Sequence, residues 1–553
     1  MLKGGSNWYL GLLALTLIAV LSFALACGGG DSATKTPAAG SPTATPAAAS
    51  TAVPAATTSA QPQYGGVLKW AVPVDTIQSL DPHYSVNWRE YFVNFAVQNN
   101  LVQITAPDGI VGPDLAKSWD ISADGKTITF TLAQNVAYHD GTKFDATVAK
   151  WNIDRVMDKA VGANQAAQLS SITAVEAVDA STLKITMDKP WRPIFASLAE
   201  RPGYMPSPTA IQKTNSYSNR NGEFGKNPVG TGPYKFKEWV IAQRVVLDRF
   251  DGYFGGRPYL DSVVLQHFGD YEVGVSMVRT GEAMMLETEI PVLSRLALIR
   301  SNSNLKLVGG PTGRIYYIQF TVDVAPYDNK ALREAMAYAI DRKALVNAIL
   351  SGEGVPAYQI EGKGWGSNPN AKYYDYDVQK AKSKLTEAGY PNGLNLKYWC
   401  QANTDEQELC GAIQAQARAV GINLDIQLIE SSTLWTVIYA KPDHGVWMWN
   451  TWWSPRGDPH NRLQIMIDSR GFQTKTLHYK NQEVDSLMDQ GAQMYDVAKA
   501  QSIYWKIQEI ATKDVPYVWM MHPNNYMAMD KKVMGFDWAP DIIPRIRGVW
   551  ISK

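Results

Sequence analysis

Seven histidines, His83, His139, His267, His444, His460, His478 and His522, are the first residues to test for chemistry, because imidazole serves as metal ligand and as general base. No two of them stand four apart with a Glu between, the spacing that puts two zinc ligands on one helix face. The G-x-S-x-G elbow of a serine hydrolase is absent. Gly125-Lys126-Thr127 ends like a phosphate-binding loop, but Asp120 occupies the place of its first glycine, and the segment reads better as a hairpin turn. Glu287 and Glu289 could be a glycosidase pair, yet carboxylates two apart are common on surfaces. No catalytic residue, metal or cofactor is assigned.

The most unusual stretch is Val446-Trp447-Met448-Trp449-Asn450-Thr451-Trp452-Trp453, which leads into Ser454-Pro455-Arg456-Gly457-Asp458-Pro459. Strand alternation puts Trp447, Trp449, Thr451 and Trp453 on one face and Met448, Asn450 and Trp452 on the other, with one face expected in a core. Other strands are expected at Val67–Val72, Thr127–Leu132, Leu183–Met187, Arg244–Leu247, Ser262–Leu265 and Leu394–Trp399, from alternation or short apolar runs. Asn329–Leu350 reads as one helix, with Leu332, Met336 and Ile340 on one face, Asp328 as N-cap and Gly352 past its end. Mixed strands and helices without a repeat indicate an α/β protein with more than one sheet.

Composition narrows the function classes. The 553 residues carry 52 basic and 52 acidic side chains, which removes the positive footprint that nucleic acid requires. Such a length is enough for two or three lobes, at about 100–200 residues each. Lys3 is the only charge among residues 1–26, ahead of the apolar run Trp8–Ala26, as in a secretory signal. Ala24-Leu25-Ala26-Cys27-Gly28 resembles a bacterial lipobox, with Ala24 where Leu is usual; Cys27 would then carry the lipid. An uncleaved membrane anchor is the alternative. Residues 27–62, rich in Ala, Thr, Pro and Ser, are expected to form a stalk without a core of their own. Cys400 and Cys410, between a strand and a helix opened by Thr404-x-x-Gln407, would be either a disulfide or two buried thiols.

Several blocks, in order, resemble the peptide-and-nickel-type solute-binding proteins of ABC importers, family 5. They are Gly65-Gly66-Val67-Leu68, Leu80-Asp81-Pro82, Ile110 to Trp119, Asp124 to Phe130, Tyr138 to Phe144, Asn227 to Tyr234, Tyr253 to Pro258, Leu332 to Ala335 with Ala339 to Arg342, and Gly457-Asp458-Pro459. The resemblance spans Tyr64 to Lys553. It implies a two-lobed, periplasmic-binding-protein-like (Venus-flytrap) α/β fold with an extra subdomain in the first lobe. The expected division is 63–84, 227–315 and 517–553 for lobe I, 85–226 for the subdomain and 316–516 for lobe II. The lobes would join at two strands, near Arg314–Tyr317 and Pro516–Trp519.

The resemblance implies a function as well: a monomeric, extracytoplasmic, lipid-anchored protein that closes on a peptide or oligosaccharide and hands it to an ABC permease. It places the Trp-rich strand along the cleft, so Trp449, Asn450, Thr451, Trp452, Trp453, Arg456 and Asp458 are ligand-binding candidates, with Trp519 and His522 near the second crossing. Peptide-binding members commonly carry an Asp three residues before the Asp-Pro pair, to hold the ligand's α-amino group. Here that residue is Pro455, which offers neither carboxylate nor N–H, leaving Asp458 as the substitute. Stacking of Trp on sugar rings keeps oligosaccharides in competition. A secreted hydrolase and a solute-binding partner of a membrane sensor are the remaining readings.

Overall fold

Strand Thr127–Leu132 buries Ile128, Phe130 and Leu132 on one face, as its alternation requires, and it lies in a four-stranded antiparallel sheet with Ala116–Ile121, Thr182–Met187 and Ile172–Asp179. This is one of four sheets in the computed structural model of the chain, which describes residues 61–73, 77–85, 88–105, 110–288, 294–430, 433–434, 437–438, 447–453, 457–539 and 541–553. Of Thr404, Asp405, Trp452 and Trp453 only the backbone is described. The signal, Cys27, nearly all of the stalk, Ser454, Pro455 and Arg456 lie outside the described residues.

The main sheet has 12 strands. Its path runs Ile422–Ile429, Leu394–Gln401, Met448–Trp453, Ile315–Phe320, Tyr517–Asp530, Met285–Thr288, Val67–Pro73, Ser262–Phe268, Arg244–Arg249 and Tyr234–Val240; Leu305–Pro311 and Gly354–Pro356 also pair with Tyr517–Asp530. Every residue of Ile315–Phe320 is buried, as in a central strand covered on both faces. Leu394–Gln401 and Ile422–Ile429 are parallel, joined by helix Thr404–Ala419. Parallel neighbours need such a crossover, because a tight turn can only reverse the chain.

The 14-residue strand Tyr517–Asp530 belongs to both halves of this sheet. Tyr517–Met521 pair with Ile315–Phe320, whereas Asn524–Asp530 pair with Leu305–Pro311. The chain therefore passes between the halves twice, at residues 312–314 and 521–524. Gly309, with φ +149°, lies in the strand that leads to the first passage: a Cβ there would lie 2.2 Å from the Asn525 carbonyl oxygen, so no side chain fits. A separate hydrophobic core, built from residues between Tyr84 and Met205, surrounds the four-stranded sheet.

Two local expectations are corrected. The helix expected over Asn329–Leu350 is two helices, Lys330–Ala339 and Arg342–Ile349. Ile340 leaves helical geometry at ψ 108°, and Asp341 caps the second helix by accepting from Ala344 N–H. The Gln416 amide braces the break, accepting from Asp341 N–H at 2.9 Å. The first helix is capped by Asn329, one residue later than expected. Helix Thr404–Ala419 is likewise capped one residue earlier, by Asn403, whose side chain accepts from Glu406 N–H.

Candidate functional site

Strand Met448–Trp453 is antiparallel to Ile315–Phe320 along its whole length, with Trp453 opposite Ile315 and Met448 opposite Phe320. On its other edge it meets Leu394–Gln401 only at the pair Trp399–Trp449. Beyond that pair, the backbone of Thr451–Trp453 is laddered on one side alone among the described residues.

Met448 to Thr451 are buried on both faces, so over that part alternation does not separate a core face from a cleft face. Trp449 packs with Ile315, Tyr317 and Trp519 in one core, and Met448 lies in the core on the opposite side. Asn450 points toward that second side, accepting from Tyr398 Oη at 2.8 Å and donating to the Glu406 carboxylate. Close by, Cys400 and Cys410 are joined (S–S 2.09 Å), clipping strand Leu394–Gln401 to helix Thr404–Ala419. Thr451 is buried at 2% exposure. Trp449, Asn450 and Thr451 are thus held in interiors, and Trp447 packs half-buried on one of the cores.

Trp519 and His522 are also interior. Trp519 stacks on Tyr517 at 4.7 Å and donates its indole N–H to Thr512 Oγ1 at 3.0 Å. His522 bonds through Nδ1 to the Arg314 carbonyl at 2.8 Å, which ties the two passages together. Burial lowers its pKa to about 4, so the ring is neutral. It borders a cavity of about 460 Å³ lined by the backbone and side chains of Val355–Gly362 and Ser367–Lys372.

Asp458 is occupied. Its carboxylate receives both Nη atoms of Arg192, with Nη2–Oδ1 at 3.0 Å, and also caps helix Pro459–Met466 by accepting from His460 N–H at 2.8 Å. Arg192 comes from the body around the four-stranded sheet, whereas Asp458 belongs to the half containing the Trp-rich strand. The guanidinium further donates to Tyr504 Oη at 3.2 Å and stacks over Trp365 at 4.6 Å. Arg192 N–H donates to the Ala492 carbonyl at 2.7 Å, and Tyr495 Oη donates to the Gly125 carbonyl at 3.0 Å. A cavity of about 250 Å³ adjoins this contact, bordered by Asp188, Lys189 and Trp191 on one side and His460, Asn461 and Arg470 on the other.

Sequence reasoning missed Arg192, Trp365 and Tyr504. Their partners stand up to 312 positions away, and no local pattern marks such a pair. It also left His460 without a role, although His460 follows directly on the Asp458-Pro459 motif.

Nothing in this arrangement resembles a catalytic centre. Glu287 is held by Arg89 at 2.8 Å, and no cluster of three or more His, Cys, Asp or Glu suited to a metal occurs among the described residues. Gly125, at φ +70°, turns the hairpin between Ala116–Ile121 and Thr127–Leu132.

A two-lobed α/β frame through which the chain passes twice has the architecture of the extracytoplasmic solute-binding proteins. The chain belongs to the bacterial extracellular solute-binding proteins, family 5, whose middle region matches residues 111–474. It is 32% identical over 435 residues to the glutathione-binding protein GsiB of Shigella dysenteriae serotype 1, covering 77% of this chain and 83% of that protein. Among solved structures it is similar to the periplasmic binding protein DppA of Helicobacter pylori in complex with the peptide STSA. The TM-score there is 0.75 at 26% identity, covering 89% of this chain and 99% of DppA. The substrate-binding protein CtaP of Listeria monocytogenes shares the fold at TM-score 0.80 and 23% identity, over 89% of this chain and 100% of that one. The protein is therefore the solute-binding component of an ABC importer and not an enzyme.

Proposed function

We propose that the chain captures a short peptide between its lobes and presents it, in the closed form, to an ABC permease. The observation that carries this is the backbone edge at Thr451–Trp453, which among the described residues is laddered on one side only, by Ile315–Phe320. An extended peptide added to such an edge gains main-chain hydrogen bonds whatever its side chains are. The relatives agree in kind: GsiB is named for glutathione, itself a tripeptide, and DppA was solved with STSA. An oligosaccharide is less well served, because Trp449 and Trp519 are buried and offer no face for stacking.

The ligand's α-amino group meets an unusual site. Pro455 supplies no carboxylate, and Arg192 already neutralises Asp458. Peptides whose amino group is distant from the paired backbone, or counter-charged within the ligand, fit this arrangement better than free-amine peptides. The reading also includes the sequence-derived anchor: removal of residues 1–26, lipid on Cys27, and a stalk over 27–62 that leaves a monomeric body outside the cell membrane. In the division of lobes, residues 85–226 form the extra subdomain and lobe II begins at residue 316. The two crossings are taken near Arg314–Tyr317 and Pro516–Trp519, a reading that the division of Tyr517–Asp530 between two sets of partners supports.

Native mass spectrometry of the purified protein, followed by calorimetric titration with glutathione, STSA and a maltooligosaccharide, tests the proposal. Peptide recovery or micromolar peptide binding is expected. Saturable binding of the oligosaccharide with none of either peptide would overturn it.

A further inference from the structure

The contact between the extra subdomain and lobe II contains a buried histidine that the capture mechanism does not use. His460 is 1% exposed, and neither ring nitrogen has a hydrogen-bond partner among the described residues. Its ring packs edge-on against Trp191 at 4.8 Å, across the contact, and against Tyr504 at 6.1 Å within lobe II. The adjacent Arg192–Asp458 pair spans the same contact. Opening the lobes must separate Arg192 from Asp458 and Trp191 from His460 together.

We propose that this contact is a proton-sensitive latch: Arg192 locks the closed form by clamping Asp458, and protonation of His460 releases it. The inference rests on the capture reading above, since it concerns the retention of a solute between closed lobes.

The charges around the ring make the direction definite. From the subdomain come Asp188, Lys189 and Arg192; from lobe II come Asp458 and Arg462 on the same helix, Asp468 and Arg470 after it, Asp489, Tyr504 and Glu361. Of the carboxylates around the ring, Asp458 is engaged by Arg192 and Asp468 and Asp489 by Arg470, and neither ring nitrogen is hydrogen-bonded to a carboxylate among the described residues. Burial, with Arg192, Arg470 and Lys189 nearby, lowers the His460 pKa to about 3. Two of those three cations belong to the subdomain and withdraw on opening. In the open form the ring returns toward its ordinary value of about 6.5. A group whose pKa falls on closure favours closure above the open-form value and opposes it as pH drops below. None of the other groups facing the ring ordinarily titrates between pH 5 and 7.5. Of the remaining histidines, His83 and His522 are buried and His139 is half-buried, each within one body or at the passages and each bonded to a backbone carbonyl, so opening does not change their surroundings.

The test compares glutathione and STSA affinity at pH 7.5 and 5.0 for the wild type and for His460→Gln, with melting curves confirming that both fold. The wild type is expected to lose about 30-fold in affinity over this interval, and the variant less than threefold. Arg192→Ala should weaken binding at least tenfold at pH 7.5 and flatten the pH dependence, because the latch is already open. Equal pH dependence in wild type and His460→Gln overturns the latch. If neither peptide binds at pH 7.5, the peptide reading fails on its own account. The latch is then decided by small-angle scattering of the ligand-free proteins: expansion of the wild type alone at pH 5.0 supports it, and identical profiles overturn it.

Discussion

Two regions join the lobes, and they solve the same problem with opposite chemistry. At the passages, His522 is buried with its ring bonded to the Arg314 carbonyl, Thr312 Oγ1 donates to the Pro523 carbonyl at 2.8 Å, and strands continue from one half into the other. At the contact of subdomain and lobe II, neither ring nitrogen of buried His460 is hydrogen-bonded among the described residues, and the bodies meet through the Arg192–Asp458 pair and isolated hydrogen bonds. A connection made of continuous backbone and strand ladders cannot be undone without breaking the fold. A region that leaves a buried imidazole unpaired gains something by separating. The first is a permanent connection; the second is one the molecule can break.

Variants that break the permanent side should cost folding stability. Arg462 donates to the Gly313 carbonyl at the passage and forms a buried pair with Glu361. Arg462→Ala is expected to destabilise the fold by about 3–5 kcal/mol, because it strands a buried carboxylate. Chemical denaturation measures this, and a loss below 1 kcal/mol would show that the passage does not depend on that helix. Reduction of Cys400–Cys410 should cost about 2–3 kcal/mol from loop closure, seen as a lowered melting temperature, while leaving the latch intact.

Acidification touches both regions differently. The pKa of His522, lowered to about 4, lends the fold stability that is fully present above the unfolded value near 6.5 and lost as pH falls toward 4. His522→Gln should therefore reduce the acid sensitivity of unfolding between pH 7.5 and 5 by about 2 kcal/mol. It should leave the pH dependence of solute affinity within twofold of wild type, in contrast to His460→Gln. The smallest effect is expected for Asp458→Asn. Asn still caps helix Pro459–Met466, so only the charge clamp is lost. Solute affinity should fall severalfold with little change in melting, and a large drop in melting temperature would mean that Asp458 serves the fold and not closure.

Much of the fold was legible residue by residue. Alternation located Thr127–Leu132 and Leu183–Met187 because each has one face in a core and the other toward solvent. The same rule could not sort the Trp-rich strand. A central strand is buried on both faces, and there alternation carries no information about which side a ligand would use. The long helix at Asn329–Leu350 failed for a local reason: Asp341 fits a helix interior poorly and a cap well, and that preference outweighed an apolar stripe running through Ile340. The candidate site was read as a run of neighbours in sequence. In the structure the run splits, with Trp449, Asn450 and Thr451 facing interiors and Asp458 turned to the other lobe.

What the sequence determined by itself was the class: motif blocks in one order mark a solute-binding protein, because turns and caps are short-range features written in consecutive residues. What only the tertiary structure decided was how the lobes meet. Arg192 and Asp458 stand 266 residues apart and His460 and Trp191 are similarly remote; their pairing follows from the packing of whole bodies and has no imprint on any single segment.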